Sequence, residues 1–295
     1  MFSVVIPLYN KELSIRNTIQ SVLDQTCQDF EIVVVNDGST DNSVAVVEAI
    51  DDDRIRLIHQ KNQGVSAARN RGIQEARYEW IAFLDGDDLW DKAHLQEIAL
   101  MMQRFLGENV FVTSFEYSDK RPMFRHTRSE PIFKVEDYFR EAMKESLMWT
   151  SIVVVHKSCI DVVGGFNETL NRGEDLDLWA RLAREYQIVK SEKVTSTYRI
   201  DAENRSRLEK DIRKLHVYNF DLNSSKTESE MMYYKTLVIR VCYEYLCHFH
   251  LKNLIQLKIR HKKVAWSEIG GYFFLITAKR AVNLLKRTIG LKIKT

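Results

Sequence analysis

The sequence is poor in the residues that interrupt a folded chain, with 3 Pro and 11 Gly among 295 positions. That scarcity excludes collagen-like repeats and long flexible linkers, which need both in quantity. Cysteine is scarce as well. Cys27, Cys159, Cys242 and Cys247 are scattered and none forms a C-x-x-C pair. Neither a thiolate metal site nor a disulfide framework is expected, and the four read as reduced, intracellular thiols. No stretch of about 20 uncharged apolar residues is present, so a transmembrane span is not expected. The opening Met1-Phe-Ser-Val-Val-Ile-Pro has no basic segment and runs straight into a strand pattern, so no signal peptide is expected either. Neither GxxxxGK[ST] nor GxGxxG occurs, which removes the usual glycine-rich phosphate cradles. No repeat with a period of about 20–50 residues stands out, which argues against a solenoid or propeller.

Hydrophobic residues make up 45% of the chain, enough for a real core. The net charge of +2 hides an uneven distribution. Residues 252–295 carry eleven Lys or Arg against the single acid Glu268, a tail of +10 on a body of −8. Such asymmetry separates an acidic body from a basic appendage.

Phe2–Leu8 is short, nearly all apolar and rich in β-branched residues, as a strand buried on both faces should be. Ile15, Ile19, Val22 and Leu23 then recur at helical spacing. Strands at Glu31–Asn36, Arg54–Gln60 and Trp80–Asp85 alternate with helices through about Ile50 and over Gly64–Ala76. That rhythm predicts a parallel sheet with helices on both faces. Further on, the pattern predicts a helix around Lys92–Phe105, a strand at Val110–Tyr117 and a polar loop at Ser118–Glu130. A strand at Ser151–His156, a helix over 174–185 and a strand at Val194–Arg199 follow. From Leu208 onward it reads as helix throughout, over Leu208–Leu222, Glu228–Ile259 and Glu268–Ile289, with a boundary near residue 205.

In an open parallel sheet, ligands sit at the carboxyl ends of the strands. Three of the first four strands end there in polar signatures: Pro7-Leu-Tyr-Asn-Lys-Glu12, Asn36-Asp-Gly-Ser-Thr-Asp41 and Asp85-Gly-Asp-Asp88. The segment Asn62–Gly72, carrying Arg69, lines the same side. Asp85 and Asp87 stand one residue apart across a glycine. Two carboxylates so close repel, and they call for a cation. Hard oxygen ligands favour Mg²⁺ or Mn²⁺, ions that complete their shells with substrate phosphates. A second acidic cluster, Glu174, Asp175 and Asp177, opens the helix at 174–185. One of its carboxylates is a candidate general base, or the three simply complement the helix dipole. Spacing alone does not choose between Glu174 and Asp175.

Taken in order, VVIPLYNKE (4–12), EIVVVNDGSTD (31–41), NQGVSAARNRGI (62–73), IAFLDGDDLW (81–90), GGFNE (164–168) and GEDLDLWARL (173–182) resemble the family 2 glycosyltransferases over about residues 2–200. The resemblance implies a GT-A fold of α/β class: a Rossmann-like mixed, mainly parallel sheet flanked by helices, here with a C-terminal helical extension. It implies a catalytic domain over 1–205, with a nucleotide-binding half (about 1–90) and an acceptor half (about 91–205), and a helical region over 206–295. It places Pro7, Tyr9 and Asp37 around the nucleobase, with Glu12, Asn62 and Arg69 also in the donor pocket. Asp85 and Asp87 match the DxD positions on ribose, diphosphate and metal, Asp175 matches the catalytic base, and Glu174 its supporting neighbour. The expected reaction is an inverting transfer of a sugar from a nucleotide diphosphate, UDP by resemblance, to a hydroxyl of a glycan or lipid-linked acceptor, with Mn²⁺ or Mg²⁺ as cofactor. Members of the family often carry His after a Tyr-Arg-x triplet; here the run is Tyr198-Arg-Ile-Asp201, and Asp201 either replaces that His as a metal ligand or stands idle. A nucleotidyltransferase would need an early phosphate-gripping loop with Gly and Arg, which Pro7-Leu-Tyr-Asn lacks. A catalytically inactive sugar-nucleotide-binding module is the other alternative, and intact Asp85, Asp87 and Asp175 speak against it.

Within 269–289, Lys279, Arg280, Asn283, Lys286 and Arg287 share one helical face, and Phe274, Leu275, Ala278, Val282, Leu285 and Ile289 share the other. A basic amphipathic helix of this kind suits an anionic membrane surface; otherwise its apolar face packs on the body. The first reading implies a cytoplasmic protein, peripheral at the inner face of the cell membrane. No nucleic-acid-binding motif is present, and the helices beyond 205 offer a surface for oligomerisation.

Overall fold

The computed structural model describes residues 1–203, 209 and 211–289, with side chains as far as Thr277. The chain divides into two compact units, Met1–Glu209 and Lys210–Thr295. In the first, strands Phe2–Leu8 (β1), Phe30–Asp37 (β2), Ile55–Gln60 (β3) and Trp80–Phe83 (β4) alternate with helices Ile15–Leu23 (α1), Ser43–Glu48 (α2) and Val65–Glu75 (α3). The four strands lie parallel in the order β3-β2-β1-β4, with Phe2 opposite both Phe30 and Trp80. All of β2 is buried, as the apolar run predicts. Its pleat sends Ile32 and Val34 into a large core with Val4, Ile6, Leu8, Ile15, Ile19 and Val22, while Val33 and Val35 meet Ala68 of α3 on the other face. Close approach of α3 depends on its small residues, since a Cβ on Gly72 would overlap Val5 Cγ1.

The unit continues through Leu89–Trp90 (β5), His94–Arg104 (α4), Val110–Tyr117 (β6), Ile132–Lys134 (β7), Tyr138–Ala142 (α5), Val153–His156 (β8), Lys157–Val163 (α6), Glu174–Glu185 (α7) and Ile188–Tyr198 (β9). The full order is β3-β2-β1-β4-β8-β6-β9-β5, with β7 added to β9, a nine-stranded mixed and mainly parallel sheet among the described residues. β8 runs antiparallel to both β4 and β6, and so joins the first four strands to the rest.

Several boundaries differ from the sequence reading. The strand expected from Ser151 begins at Val153, because Thr150–Ile152 forms a 3-10 turn. The strand expected from Val194 begins at Ile188. Lys190 disguises that start, yet it is buried and its ammonium donates to Thr113 O and Ser114 Oγ. β5, β7, α5 and α6 are too short to register as a periodicity.

In the second unit the helix expected over 208–222 is instead three short pieces: 3-10 turns at Ile212–Lys214 and Leu222–Ser224, and His216–Asn219 (α8). Asp211 and Asp221 each accept a backbone N–H from the residue two ahead, a local turn that competes with helix continuation. The helix expected over 228–259 is two, Glu228–Cys247 (α9) and Leu251–Arg260 (α10), parted where Phe249 adopts a left-handed φ of 58°. Trp266–Ile289 (α11) follows. No helix among the described residues is long and apolar enough to cross a membrane. The two-faced character read for 269–289 falls largely on Ala278–Ile289, whose side chains lie outside the described set; Phe274 and Leu275 are exposed.

Candidate active site

β1 and β4 are neighbours although β2, β3 and three helices separate them in sequence, so their carboxyl ends border the crevice where the strand order reverses. Pro7 is the next-to-last residue of β1, and Tyr9, just beyond, is 41% exposed. The turn after β4 is pressed against this end: a Cβ on Gly86 would stand 2.9 Å from Pro7 O. Glycine between the two aspartates is therefore a packing requirement. Thr18 Oγ1 donates to Gly86 O (3.1 Å) or Asp88 O (2.9 Å) from the α1 side. From the β8 side, Ser151 Oγ donates to Asp88 Oδ2 (2.6 Å) and accepts from Asp85 N (3.1 Å). Asp88 is fully buried and also accepts from Trp149 Nε1 (3.3 Å) and Arg199 N (3.2 Å). Burial, then the charges of Asp85 and Asp87, push its carboxyl up to about 8 against the pull of Ser151. Asp88 is thus the internal anchor of the turn.

Asp85 and Asp87 each hold a cation. Lys11 Nζ lies 2.7 Å from Asp87 Oδ2 and also donates to Glu203 O. The Glu203 carboxylate accepts from Leu13 N (3.2 Å), Ser14 N (3.1 Å) and Ser14 Oγ, fastening the segment after β9 to the entrance of α1. Burial and neighbouring Asp85 raise Asp87 above the ordinary carboxylate range, with Lys11 opposing.

Arg69, buried on α3, donates to Asp85 Oδ1 (2.7 Å) and to Glu174 Oε1 (3.0 Å). Its guanidinium carbon sits 5.0 Å from the centre of the Phe166 ring. Phe166 in turn packs edge-on against Phe83 (5.3 Å) and Trp179 (5.9 Å), which gives the arginine a fixed apolar floor. Burial works against its charge, but Asp85, Glu174 and Asp175 outweigh it and hold its pKa above the ordinary value. Gly173, left-handed at φ 80°, starts α7 so that Glu174 and Asp175 occupy its first turn. Asp177 turns away to Arg181 (2.6 Å), which donates to the backbone oxygens of Val163, Gly164 and Gly165. Asp175 accepts from Leu176 N (2.8 Å). Its carboxyl is pushed up to about 7, by loss of solvent first and by Glu174 next, with Arg69 opposing.

The other expected donor residues are spread along the same rim. Asp37, buried at the end of β2, accepts from Gln60 Nε2, Gln63 N and Gly64 N, each at 2.8 Å, and so fixes the entrance to α3. Glu12 accepts from Asn42 N and Asn42 Nδ2, both at 2.9 Å, tying two rim loops together. Exposed Asn62 packs against Gly38, where a Cβ would come within 3.0 Å of Asn62 N. Asp201 is not brought to Asp87: its side chain is 68% exposed, with Arg199 Nε at 3.8 Å. Glu203, two residues on, makes the return to the rim instead.

A hard divalent cation bound to a nucleotide needs only one or two protein carboxylates, and the Asp85–Asp87 pair supplies that donor chemistry. The lysine on Asp87 and the arginine on Asp85 mark each as a carboxylate with a cation beside it. Among the described residues no three His, Cys, Asp or Glu side chains are gathered for a metal, so the set Asp85, Asp87 and Asp201 is not assembled. Lys11, Asp88, Trp149, Ser151 and Glu203 were not anticipated as site residues. Lys11 and Asp88 stand inside the motifs that marked the site, whereas nothing local marks the other three.

The family model for glycosyl transferase family 2 matches residues 3–163. An uncharacterized glycosyltransferase of Rickettsia felis is 34% identical over 211 residues, which cover 67% of this chain and 33% of that protein. The uncharacterized glycosyltransferase EpsJ of Bacillus subtilis is 47% identical over 100 residues, 33% of this chain and 29% of EpsJ. The matches thus span about a third of those relatives' length. Among solved structures, S. aureus TarS 1–349 in complex with UDP-GlcNAc superposes with a TM-score of 0.60 at 20% identity, covering 90% of this chain and 74% of that one. The shared architecture is the GT-A fold, and with more than half its length matched by the family model, the chain belongs to glycosyltransferase family 2.

Proposed function

We propose that the protein is a metal-dependent inverting glycosyltransferase that moves a hexosyl or N-acetylhexosaminyl group from a nucleotide diphosphate, UDP foremost, to a hydroxyl of a glycan or lipid-linked acceptor in cell-surface polysaccharide synthesis. The observation that carries the reading is the convergence of Arg69, Asp85, Glu174 and Asp175 at the mouth of a GT-A sheet. Arg69 makes its ion pair with Glu174 and only partly offsets the burial of Asp175, which leaves Asp175, pushed up to about 7, as the general base. Asp175 takes the proton of the acceptor hydroxyl as that oxygen bonds to the anomeric carbon. The bond from that carbon to the diphosphate oxygen breaks on the opposite face, and its electron pair leaves with the nucleotide diphosphate; one attack gives one inversion. Mn²⁺ or Mg²⁺ held by Asp87 and Asp85 would neutralise charge on that leaving group. Arg69 orients Asp85 toward the donor and Glu174 beside the base. Pro7, Tyr9 and Asp37 border the nucleobase, with Glu12 and Asn62 on the same rim. The UDP-GlcNAc of the TarS complex supports a UDP-sugar donor. The basic C-terminal helix adds a contact with an anionic membrane, which places the enzyme peripherally at the cytoplasmic face.

Thermal shift with a panel of nucleotide sugars and Mn²⁺ tests the donor, because a ligand bound only to the folded state raises its melting temperature. The expected result is stabilisation by a UDP-sugar, with metal-dependent release of UDP. Nucleotide binding without turnover of any sugar nucleotide supports an inactive binding module instead.

A further inference from the structure

We propose that the outward face of α10, together with Phe249 and Trp266, is a docking surface for an anionic lipid bilayer. In α10 the apolar residues divide into two sets. Leu254 and Leu257 are buried inside the second unit, whereas Leu251, Ile255 and Ile259, one turn apart, each expose half their surface or more. Phe249 and Trp266 flank this stripe in sequence and are exposed too. Lys258 stands at the edge of the stripe, and its ammonium lies 5.8 Å from the Trp266 ring centre, which joins the tryptophan to the same patch. Five large apolar side chains left in water within 18 positions mark a surface built for a partner.

Charge identifies the partner. Residues 249–266 contain Lys252, Lys258, Arg260, Lys262 and Lys263 and no acidic residue. On the helix, Lys252 and Lys258 border the aliphatic stripe on opposite sides, where long cationic side chains reach headgroups while their stems follow the apolar residues inward. Tryptophan beside them suits the headgroup level. A second copy of this chain fits poorly, because a two-fold interface would set Lys252 and Lys258 at the stripe's edges against their own copies. This surface extends the membrane contact proposed above but rests on a different element from the distal half of α11, and the two are separable.

The test is co-sedimentation of the full-length chain with phosphatidylglycerol-containing and pure phosphatidylcholine vesicles. The parent should bind the anionic vesicles and lose them in high salt. The triple variant Leu251→Ser, Ile255→Ser, Ile259→Ser should lower partitioning by roughly tenfold or more, since its apolar insertion is gone. Should that variant fold poorly, Lys252→Glu with Lys258→Glu provides the same test at exposed or bordering positions. A tail variant with Lys279, Arg280, Lys286 and Arg287 changed to Ala should keep a measurable, salt-sensitive binding. Parent-like binding by folded α10 variants, with loss confined to the tail variant, overturns the inference and leaves the tail reading standing. Absence of binding by the parent overturns both. A parent dimer that the α10 triple variant splits to monomers, without lipid binding, assigns the face to a second copy and overturns it as well.

Discussion

Two acidic segments meet at the mouth of the sheet, and they are compensated differently. In Asp85-Gly-Asp-Asp88 every carboxylate has a strong partner: Arg69 for Asp85, Lys11 for Asp87, and Ser151 with Trp149 for Asp88. In Glu174-Asp175 the ion pair to Arg69 is made by Glu174, while Asp175 accepts from the next backbone N–H, that of Leu176. In the first segment cations hold Asp85 and Asp87, while Asp88, buried among neutral partners, is pushed up to about 8; in the second, Asp175 is pushed up to about 7 at the open end of the crevice. Neighbouring positive charge, more than the number of acids, separates binding carboxylates from a base.

The largest effect that would break this contrast is expected from Asp175→Asn. Transfer should fall by about 10²–10⁴ in kcat, the range for a lost general base, while the donor dissociation constant stays near the parent value. Transfer near the parental rate would put the base elsewhere. Arg69→Ala comes next, because it leaves Asp85 and Glu174 facing each other without their shared cation. Chemical denaturation should report a loss of about 3–5 kcal/mol, the usual result of breaking a buried ion pair from one side. A loss within error would mean that the pair is solvated. Gly86→Ala should destabilise by about 1–3 kcal/mol, the cost of forcing a methyl into packed space, and should weaken donor binding as the turn shifts from Pro7.

The pH dependence sharpens the comparison with a smaller signal. Asp175 keeps its proton to about 7 in the folded protein, against an ordinary value of 3.8. Between those values the folded state binds the extra proton, so this group's stabilising contribution is complete at the acid end and is lost as pH rises through about 7. Asp175→Asn should therefore gain melting temperature relative to the parent between pH 5 and pH 8. The parent's kcat should climb through and above the same range as the base form appears, because kcat reads the base in the donor complex. A flat difference in melting temperature would remove the elevated pKa. Asp201→Ala should change least, with the metal response of donor hydrolysis unaltered; a clear weakening would return Asp201 to the site.

The sheet's first half was legible because β1, β2 and β4 are largely apolar, β-branched or aromatic runs and polar turns follow the strands. Phe2–Leu8 and Val110–Tyr117 match the expected spans residue for residue. Short elements such as β5 and β7 owe their existence to pairing with β9, which no local pattern announces. The site divides in the same way. Asp85, Asp87 and Asp37 announce themselves by standing at strand ends. Ser151 reaches Asp88 from 63 positions away, and Glu203 reaches Ser14 from 189; serine and glutamate are ordinary loop residues until the fold is closed. Lys11 stands inside a strand-end signature, but sequence does not say where a flexible ammonium ends.

Arg69 grips both segments with one guanidinium, and that sharing has a thermodynamic corollary. A diphosphate that draws the guanidinium toward itself withdraws positive charge from Glu174 and Asp175, and protonation of Asp175 alters what the guanidinium can offer the donor. Occupancy of the donor pocket and proton affinity of the base are then reciprocally linked. Donor binding is expected to raise the apparent pKa of Asp175, and the donor dissociation constant should drift with pH by the matching factor. A single side chain would thereby tie the charge state of the base to the presence of the donor.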